Sequence, residues 1–131
     1  MSEPEAAPPI DRAHLDRMTM GEDSLKAEVL GLFRNQTQSW MRLLDPETDT
    51  ADWRVAAHTL KGSAMGIGAW ALAEACSVAE ATAKKERILS QGEKRLFTDR
   101  IRVELDAALA DIATIEHRLA IAALKAGKLP D

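Results

Sequence analysis

The sequence is poor in the residues that support disulfides, sheets and extended loops. It has no tyrosine and one cysteine, with five prolines and seven glycines among 131 residues. Cys76 therefore has no disulfide partner within the chain, and we expect a small core residue in a reducing compartment. Ala, Leu, Glu, Lys and Arg outnumber the β-branched residues, which favours helix over strand. The length fits one domain with its own core.

An excess of positive charge and a long apolar run are also missing. The formal net charge is −4, which disfavours nucleic-acid binding because that binding depends on neutralising phosphates. No stretch approaches the roughly 20 apolar residues that span a bilayer. The first residues lack the basic start and apolar run of a signal peptide. We therefore expect no nucleic-acid or membrane partner and a cytoplasmic location, and the alanine-rich composition favours a bacterial source.

Apolar residues recur at spacings of three and four, which predicts helices along most of the chain. We expect a disordered tail over 1–9 and a short helix capped by Asp11 and ending near Met18. Four longer helices are predicted over about 22–44, 53–67, 69–87 and 93–126, with residues 127–131 frayed. Their short connections predict an all-α fold, an antiparallel four-helix bundle with a short extra N-terminal helix.

The expected inward residues follow from the same spacing. Thr50 or Asp52 is the expected cap of the helix from residue 53, and 90–92 is expected to be a break. Gln36 interrupts the first long stripe, and an inward amide needs a hydrogen-bond partner. The predicted stripes, in chain order, are Leu25, Val29, Leu32, Phe33, Trp40, Leu43 and Leu44; Trp53, Ala56, Ala57, Leu60, Ala64 and Ile67; Leu72, Ala75, Cys76, Ala79 and Ala83; and Phe97, Ile101, Leu105, Ala108, Ile112, Ile115, Leu119 and Ala122.

A second face of the helix over 53–67 carries Arg54, His58, Lys61, Gly62 and Met65. These residues lie opposite the apolar stripe, so the imidazole should reach solvent, where its neutral form is a nucleophile. Lys61 is one turn further along, within reach of an anion bound to the ring. Glycine in mid-helix costs about 1 kcal/mol relative to alanine, so the bare backbone at Gly62 suggests room for a second macromolecule. Each of these residues also has an ordinary structural explanation when it is considered alone. His58 could be a surface histidine, Lys61 a solvated charge, and Gly62 a glycine that lets two helices pack closely.

The segment from Ala57 to Ala69 resembles the signature of histidine phosphotransfer (HPt) domains. That signature has a histidine, a Lys-Gly pair three and four residues later, and a second glycine ten residues after the histidine. In this sequence the matching residues are His58, Lys61, Gly62 and Gly68. The similarity extends over about residues 10–88. The resemblance implies that His58 is phosphorylated, at Nε2, by the aspartyl phosphate of a receiver domain. It then passes the group to another receiver, as a relay between a hybrid histidine kinase and a response regulator.

The resemblance also implies roles for neighbouring residues. Lys61 would stabilise the phosphoryl oxygens, and Gln36 would hydrogen-bond near the histidine, although a satisfied core amide is the alternative. Lys84 falls where some members carry a basic residue near the phosphate. Glu80 falls where some members carry glutamine, a departure from the pattern.

Docking of the partner would use the bare backbone of Gly62 together with Arg54 and Met65. For Met65 the alternative is packing at the end of the bundle. No ATP-binding motif accompanies the histidine, so the chain is expected to carry phosphate without kinase activity. We predict no cofactor and no metal site, with Mg²⁺ supplied by the receiver domain.

Three other interpretations stay open at this point. One is an HPt-like scaffold that binds receivers without carrying phosphate. A metal-carboxylate bundle would need Glu-x-x-His pairs, and the nearest pattern, Asp11 before His14, is better explained by helix capping. Some relatives with a longer helical hairpin dimerise, whereas the single long helix here favours a monomer.

Overall fold

The computed structural model describes residues 7–84 and 88–127, and all regular structure in them is helical. The helices are α1 Arg12–Met18, α2 Asp23–Leu43, α3 Thr50–Ile67, α4 Trp70–Ala83 and α5 Gln91–Lys125. The all-α prediction is confirmed. None of these described helices combines the length and the apolar character that crossing a membrane requires.

Helices α2 to α5 form the antiparallel bundle that was predicted, and α1 is the extra N-terminal helix. Helices that are consecutive in sequence pack together, α2 closes the bundle against α5, and α1 rests on α3. Trp53 is the largest fully buried side chain, and its Nε1 donates to Thr98 Oγ1 at 3.3 Å. Cys76 is buried as predicted, and desolvation raises the pKa of its thiol to about 12.

The N-terminal cap of α1 is joined to the turn between α3 and α4. The Asp11 carboxylate accepts from the backbone N–H of His14 at 3.1 Å, as the capping interpretation predicted, and from Trp70 Nε1 at 3.0 Å. The Asp11 N–H donates to the carbonyl of Gly68 at 3.0 Å. Gly68 is in the left-handed region with φ +80°. The glycine of the motif therefore ends α3 and receives α1 at the same point.

The segment before α1 is tied to α5. Ile10 is fully buried, its N–H donates to Asp111 Oδ2 at 2.9 Å, and Arg12 pairs with the same carboxylate. These hydrogen bonds, chiefly that from Arg12, lower the pKa of Asp111. Ile10 is therefore part of the packed core. Of the expected tail and frayed end, residues 1–6 and 128–131 lie outside the described residues.

The inward face of α2 differs from the predicted stripe. Leu32 and Leu43 are 52% and 41% exposed, whereas Leu30 and Thr37 are buried. Gln36 is exposed, so its expected inward position is wrong. The physical reason is that the Thr37 hydroxyl donates a hydrogen bond to the Arg34 carbonyl of the same helix at 3.0 Å. Because this polar group already has a partner, the small threonine side chain can be buried.

The starts of α3 and α5 also differ from the predicted bounds. Asp49, and neither Thr50 nor Asp52, caps α3, and its carboxylate accepts from the Ala51 N–H at 2.9 Å. The predicted break at 90–92 is the start of α5, where Ser90 and Glu93 form a capping box.

The inward stripe predicted for α5 extends too far along the helix. Ala122, its last predicted member, is exposed because the buried face of α5 ends at Ile115. The expected end of the α4 helix at Arg87 lies outside the described residues.

Candidate functional site

Helix α3 divides into the two faces that its sequence predicts. The apolar set from Trp53 to Ile67 is buried throughout. On the opposite face, the side chain of His58 is 63% exposed and that of Lys61 is 25% exposed. The imidazole therefore meets solvent from a helix whose other side is fixed in the core.

Glu80 on α4 lies beneath the imidazole and connects it to two lysines. The Glu80 side chain is only 5% exposed. His58 Nδ1 is 2.7 Å from Glu80 Oε1, and Lys61 Nζ donates to Glu80 Oε2 at 2.6 Å. Lys84 Nζ, one helical turn after Glu80, is 3.6 Å from Oε1. One buried carboxylate thus joins three side chains from two helices.

The protonation state of Glu80 is set by opposing effects. Burial by itself would raise the pKa of this carboxyl, but the hydrogen bonds from Lys61 and His58 outweigh burial, and the pKa is lowered. Glu80 is therefore a carboxylate at neutral pH. With two ammonium groups around one carboxylate, the cluster carries a positive charge that favours an incoming anion.

The tautomer of His58 follows from this charge. A carboxylate can only accept hydrogen bonds, so Nδ1 must carry a proton. In the neutral ring, Nε2 then holds the lone pair, and it is the nitrogen turned away from Glu80. The geometry therefore leaves a nucleophilic nitrogen facing solvent beside a cationic cluster.

The family model described as Hpt domain matches residues 24–115, which include all of α2, α3 and α4 and most of α5. The chain belongs to the Hpt family.

A solved relative agrees with this assignment. The crystal structure of the histidine phosphotransferase ShpA from Caulobacter crescentus is 37% identical in sequence, with a TM-score of 0.70. The match covers 88% of this chain and 98% of that one. A search of curated proteins returned no match. Membership of the Hpt family and likeness to a histidine phosphotransferase support a role as a phosphorelay carrier.

The mid-helix glycine of this Hpt domain does not pack against another described helix. Apart from its chain neighbours and the adjacent backbone of its own helix, a Cβ built on Gly62 would meet no described atom within 4 Å. The helix-packing alternative for this glycine is therefore not supported. Its exposed position beside His58 is open to an approaching molecule.

The other predicted site residues fall into two groups. Arg54 is half-buried and Met65 is 47% exposed, both on the His58 face of α3. Gln36 is on α2, exposed, and makes no hydrogen bond with any described residue. The structure thus gathers Lys61 and Lys84 at His58 through Glu80, but it gives Gln36 no hydrogen bond to the imidazole.

Glu80 is the site residue that the sequence pattern did not predict. In the family pattern it is only a departure from the glutamine of some members. A usable signal was present, since Glu80 is four residues after Cys76 and next to Ala79, within the small apolar residues that α4 turns inward. A buried carboxylate needs a compensating partner. The helix predicted just before it in the sequence carries two candidates, His58 and Lys61.

Proposed function

We propose that this Hpt domain carries a phosphoryl group on His58 Nε2 between the receiver domains of a hybrid histidine kinase and a response regulator. The observation that supports it best is the exposed imidazole whose Nδ1 is held by the buried Glu80 carboxylate. A carrier needs a nucleophile of fixed tautomer that a partner can reach. It needs little other machinery, because phosphoryl transfer depends mainly on positioning and charge stabilisation.

The remaining parts of the reaction belong to the receiver. Its aspartyl phosphate supplies the activated group, and Mg²⁺ would be held in its acidic pocket, so the chain is proposed to act without a cofactor or metal of its own. Lys61 and Lys84 would supply positive charge on the Hpt side. A cytoplasmic location and a bacterial source stay predictions of the sequence.

The docking surface is proposed to surround His58 on α3. Gly62 supplies bare backbone, Met65 supplies apolar contact and Arg54 supplies a cation one turn before the histidine. We propose that the chain acts as a monomer, since this face has to be open to one receiver at a time.

The experiment is phosphotransfer from a panel of phosphorylated receiver domains. We expect an acid-labile, alkali-stable phosphoryl group on the chain, mapped to His58 and passed on to a second receiver. His58→Gln should abolish labelling and remain folded. His117→Gln is the matched control, because His117 is exposed on α5 and lies outside the cluster, and it should label normally.

A scaffold that binds receivers without carrying phosphate gives a different result. Such a protein would bind receivers with unchanged affinity after His58→Gln and would acquire no label. Receiver binding without label, across a panel in which a known Hpt protein is labelled, would contradict the proposed relay.

A further inference from the structure

The Glu80 carboxylate accepts a hydrogen bond from a different donor at each oxygen. Oε2 accepts from Lys61 Nζ at 2.6 Å, and Oε1 accepts from His58 Nδ1 at 2.7 Å. Lys84 Nζ lies 3.6 Å from Oε1, which is beyond the usual length of a hydrogen bond. In the described part of the chain, the imidazole is therefore the hydrogen-bond donor to Oε1.

This arrangement makes the Nδ1 proton of the ring difficult to remove. The Glu80 side chain is only 5% exposed, so solvent has little access to Oε1. If Nδ1 lost its proton, two lone pairs would face each other at 2.7 Å. The buried anionic oxygen would also have no donor, which is strongly unfavourable.

Phosphorylation at Nε2 would give this proton a chemical task. When the phosphoryl group moves to a receiver, an oxygen of the receiver aspartate forms the new P–O bond. The P–Nε2 bond breaks, and its electron pair returns to Nε2. If Nδ1 keeps its proton, the departing ring is a neutral imidazole. Without that proton it is an imidazolide anion, which is far more basic and leaves far more slowly.

We propose that Glu80 is a positioning residue that keeps the Nδ1 proton on the phosphorylated His58 ring, so that the chain remains a phosphoryl donor as the pH rises above neutrality. This inference rests on the proposed phosphoryl-carrier function. It gives a reason for the carboxylate at position 80, where some members of the family carry glutamine. A glutamine amide has both a donor and an acceptor, so it could pair with either protonation state of Nδ1.

The charged groups around the ring come from α3 and α4. Lys61 and Arg54 are on α3, Glu80 is on α4 and Lys84 follows it. The described residues of α1, α2 and α5 contribute no ion pair to this cluster. Cys76, one turn before Glu80, keeps a neutral thiol because burial raises its pKa to about 12. Histidine is the side chain that ordinarily changes charge between about pH 5 and 8, so the ring itself is the group to follow.

The ring proton can be measured without a receiver. Phosphoramidate, a small P–N phosphoryl donor, modifies an accessible imidazole and would load His58. The ¹⁵N NMR shifts of the phosphorylated ring report whether Nδ1 is protonated, with His58→Gln identifying its signals and a short unstructured phosphohistidine peptide as the reference. We expect the ring of the folded chain to keep its proton to a pH at least about one unit higher than the peptide ring, a tenfold gain in proton affinity.

Glu80→Gln should remove this gain. The amide has nearly the size of the carboxylate but no charge, so the phosphorylated ring should lose its proton near the pH at which the peptide ring does. Glu74→Gln is the matched control, because Glu74 is on the exposed face of the same helix, and it should behave as the parent chain does. If Glu80→Gln does not fold, the comparison of the parent chain with the peptide still decides.

The second readout is the rate at which the loaded chain gives its phosphoryl group to a receiver. The parent chain and Glu80→Gln are compared with the same receiver at a series of pH values, so that the pH dependence of the receiver cancels. We expect the ratio of the two rates to rise about tenfold for each pH unit above the titration of the variant ring, because one proton is lost. A ratio that stays constant with pH would show that Glu80 only orients the ring, and the proposal would be overturned.

The two readouts also distinguish this inference from the relay function. If the phosphorylated ring of the parent chain loses its proton at the same pH as the peptide ring, the inference is wrong and the relay function stands. A retained proton together with no transfer to any receiver would contradict only the relay function. Absence of phosphohistidine in the parent chain would contradict the accessible Nε2 on which both proposals depend.

Discussion

At the scale of single residues, Gly62 and Glu80 show how the site departs from an ordinary helical surface. Gly62 lowers helix stability without a packing gain against another helix, since no described atom beyond its chain neighbours and the adjacent backbone of α3 lies within 4 Å of the position that a Cβ would take. Glu80 is a carboxylate buried in an otherwise apolar helix face. Both features are unfavourable for folding alone, and both lie next to His58. Local conflicts with folding are expected at functional sites.

Gly62→Ala should therefore stabilise the protein and impair transfer. Alanine in an exposed helix interior is favoured by about 1 kcal/mol over glycine, which urea denaturation would detect. The added methyl group would stand between His58 and a docked receiver, and we expect transfer to slow roughly tenfold, the equivalent of about 1.4 kcal/mol.

The control for this prediction is Gly31→Ala. Gly31 is also helical and also has nothing within 4 Å of a built Cβ. It lies one turn before Arg34, which pairs with Glu116 on α5, and it is on α2, not on the helix that carries His58. It should gain similar stability with unchanged transfer. Slower transfer in both variants would show that Gly62 has no special relation to docking.

At the scale of secondary-structure elements, α1 depends on the turn between α3 and α4. His14 Nε2 lies 3.1 Å from the Gly66 carbonyl oxygen, and the imidazole meets the Trp70 ring edge-on at a centroid distance of 4.8 Å. Together with the Asp11 cap, these contacts place the seven residues of α1 against the end of α3. A helix this short needs such tertiary contacts, because isolated short helices are marginal in water.

Gly68→Ala should loosen this attachment. Its φ of +80° disfavours a side chain, and a Cβ would lie 3.1 Å from Asp11 Cβ and 3.2 Å from both Asp11 O and His14 Cδ2. We expect a loss of about 1–3 kcal/mol in the free energy of unfolding from the backbone conformation, with a further loss from the crowding. Urea denaturation and hydrogen exchange of the α1 amides would measure it.

Gly21→Ala separates the two contributions. Gly21 has a similar φ of +70°, but nothing lies within 4 Å of a built Cβ. The Gly21→Ala variant should therefore lose only the part of the free energy of unfolding that comes from the backbone conformation. Equal losses in the two variants would mean that contact with Asp11 and His14 contributes nothing.

At the scale of the whole molecule, buried or partly buried carboxylates connect separate helices. Glu80 joins α4 to α3, and Asp111 joins α5 to the segment around Ile10 and Arg12. In the described residues, no buried side-chain nitrogen or oxygen lacks a hydrogen-bond partner. The polar contacts that Glu80 and Asp111 make between helices therefore depend on carboxylates that stay ionised.

Stability should consequently fall in acid. The pKa values of Glu80 and Asp111 are lowered from their ordinary values of 4.5 and 3.8. A group whose pKa is lower in the folded state contributes stability that is complete above its unfolded pKa and is lost as the pH falls through the folded value. Urea denaturation at a series of pH values should show a constant free energy of unfolding near neutrality and a decline below about pH 4.5.

Glu80→Gln should make the free energy of unfolding fall less steeply in acid, because it removes one of the carboxylates whose protonation is coupled to unfolding. Glu74→Gln is the matched control, since Glu74 is on the exposed face of the same helix. An equal reduction in both variants would contradict a specific contribution from the buried carboxylate.

The helices and the motif could be predicted from the sequence alone. The spacing of apolar residues predicted five helices and both faces of α3, because helical periodicity places residues three and four apart on one side. The pattern of His58, Lys61 and Gly62 indicated the phosphotransfer family. These features depend on contacts close in the chain.

Two features became clear only from the folded molecule. One is the rotation of α2, which turns Thr37 inward and leaves Gln36 exposed, and the other is the central place of Glu80 in the site. The physical reason is that both depend on which neighbouring helix a side chain meets. Glu80 is tolerated in the core because His58 and Lys61, about twenty residues earlier, compensate its charge. This pairing of residues far apart in sequence is set by the packing of α3 on α4. The periodicity of apolar residues along either helix does not predict it.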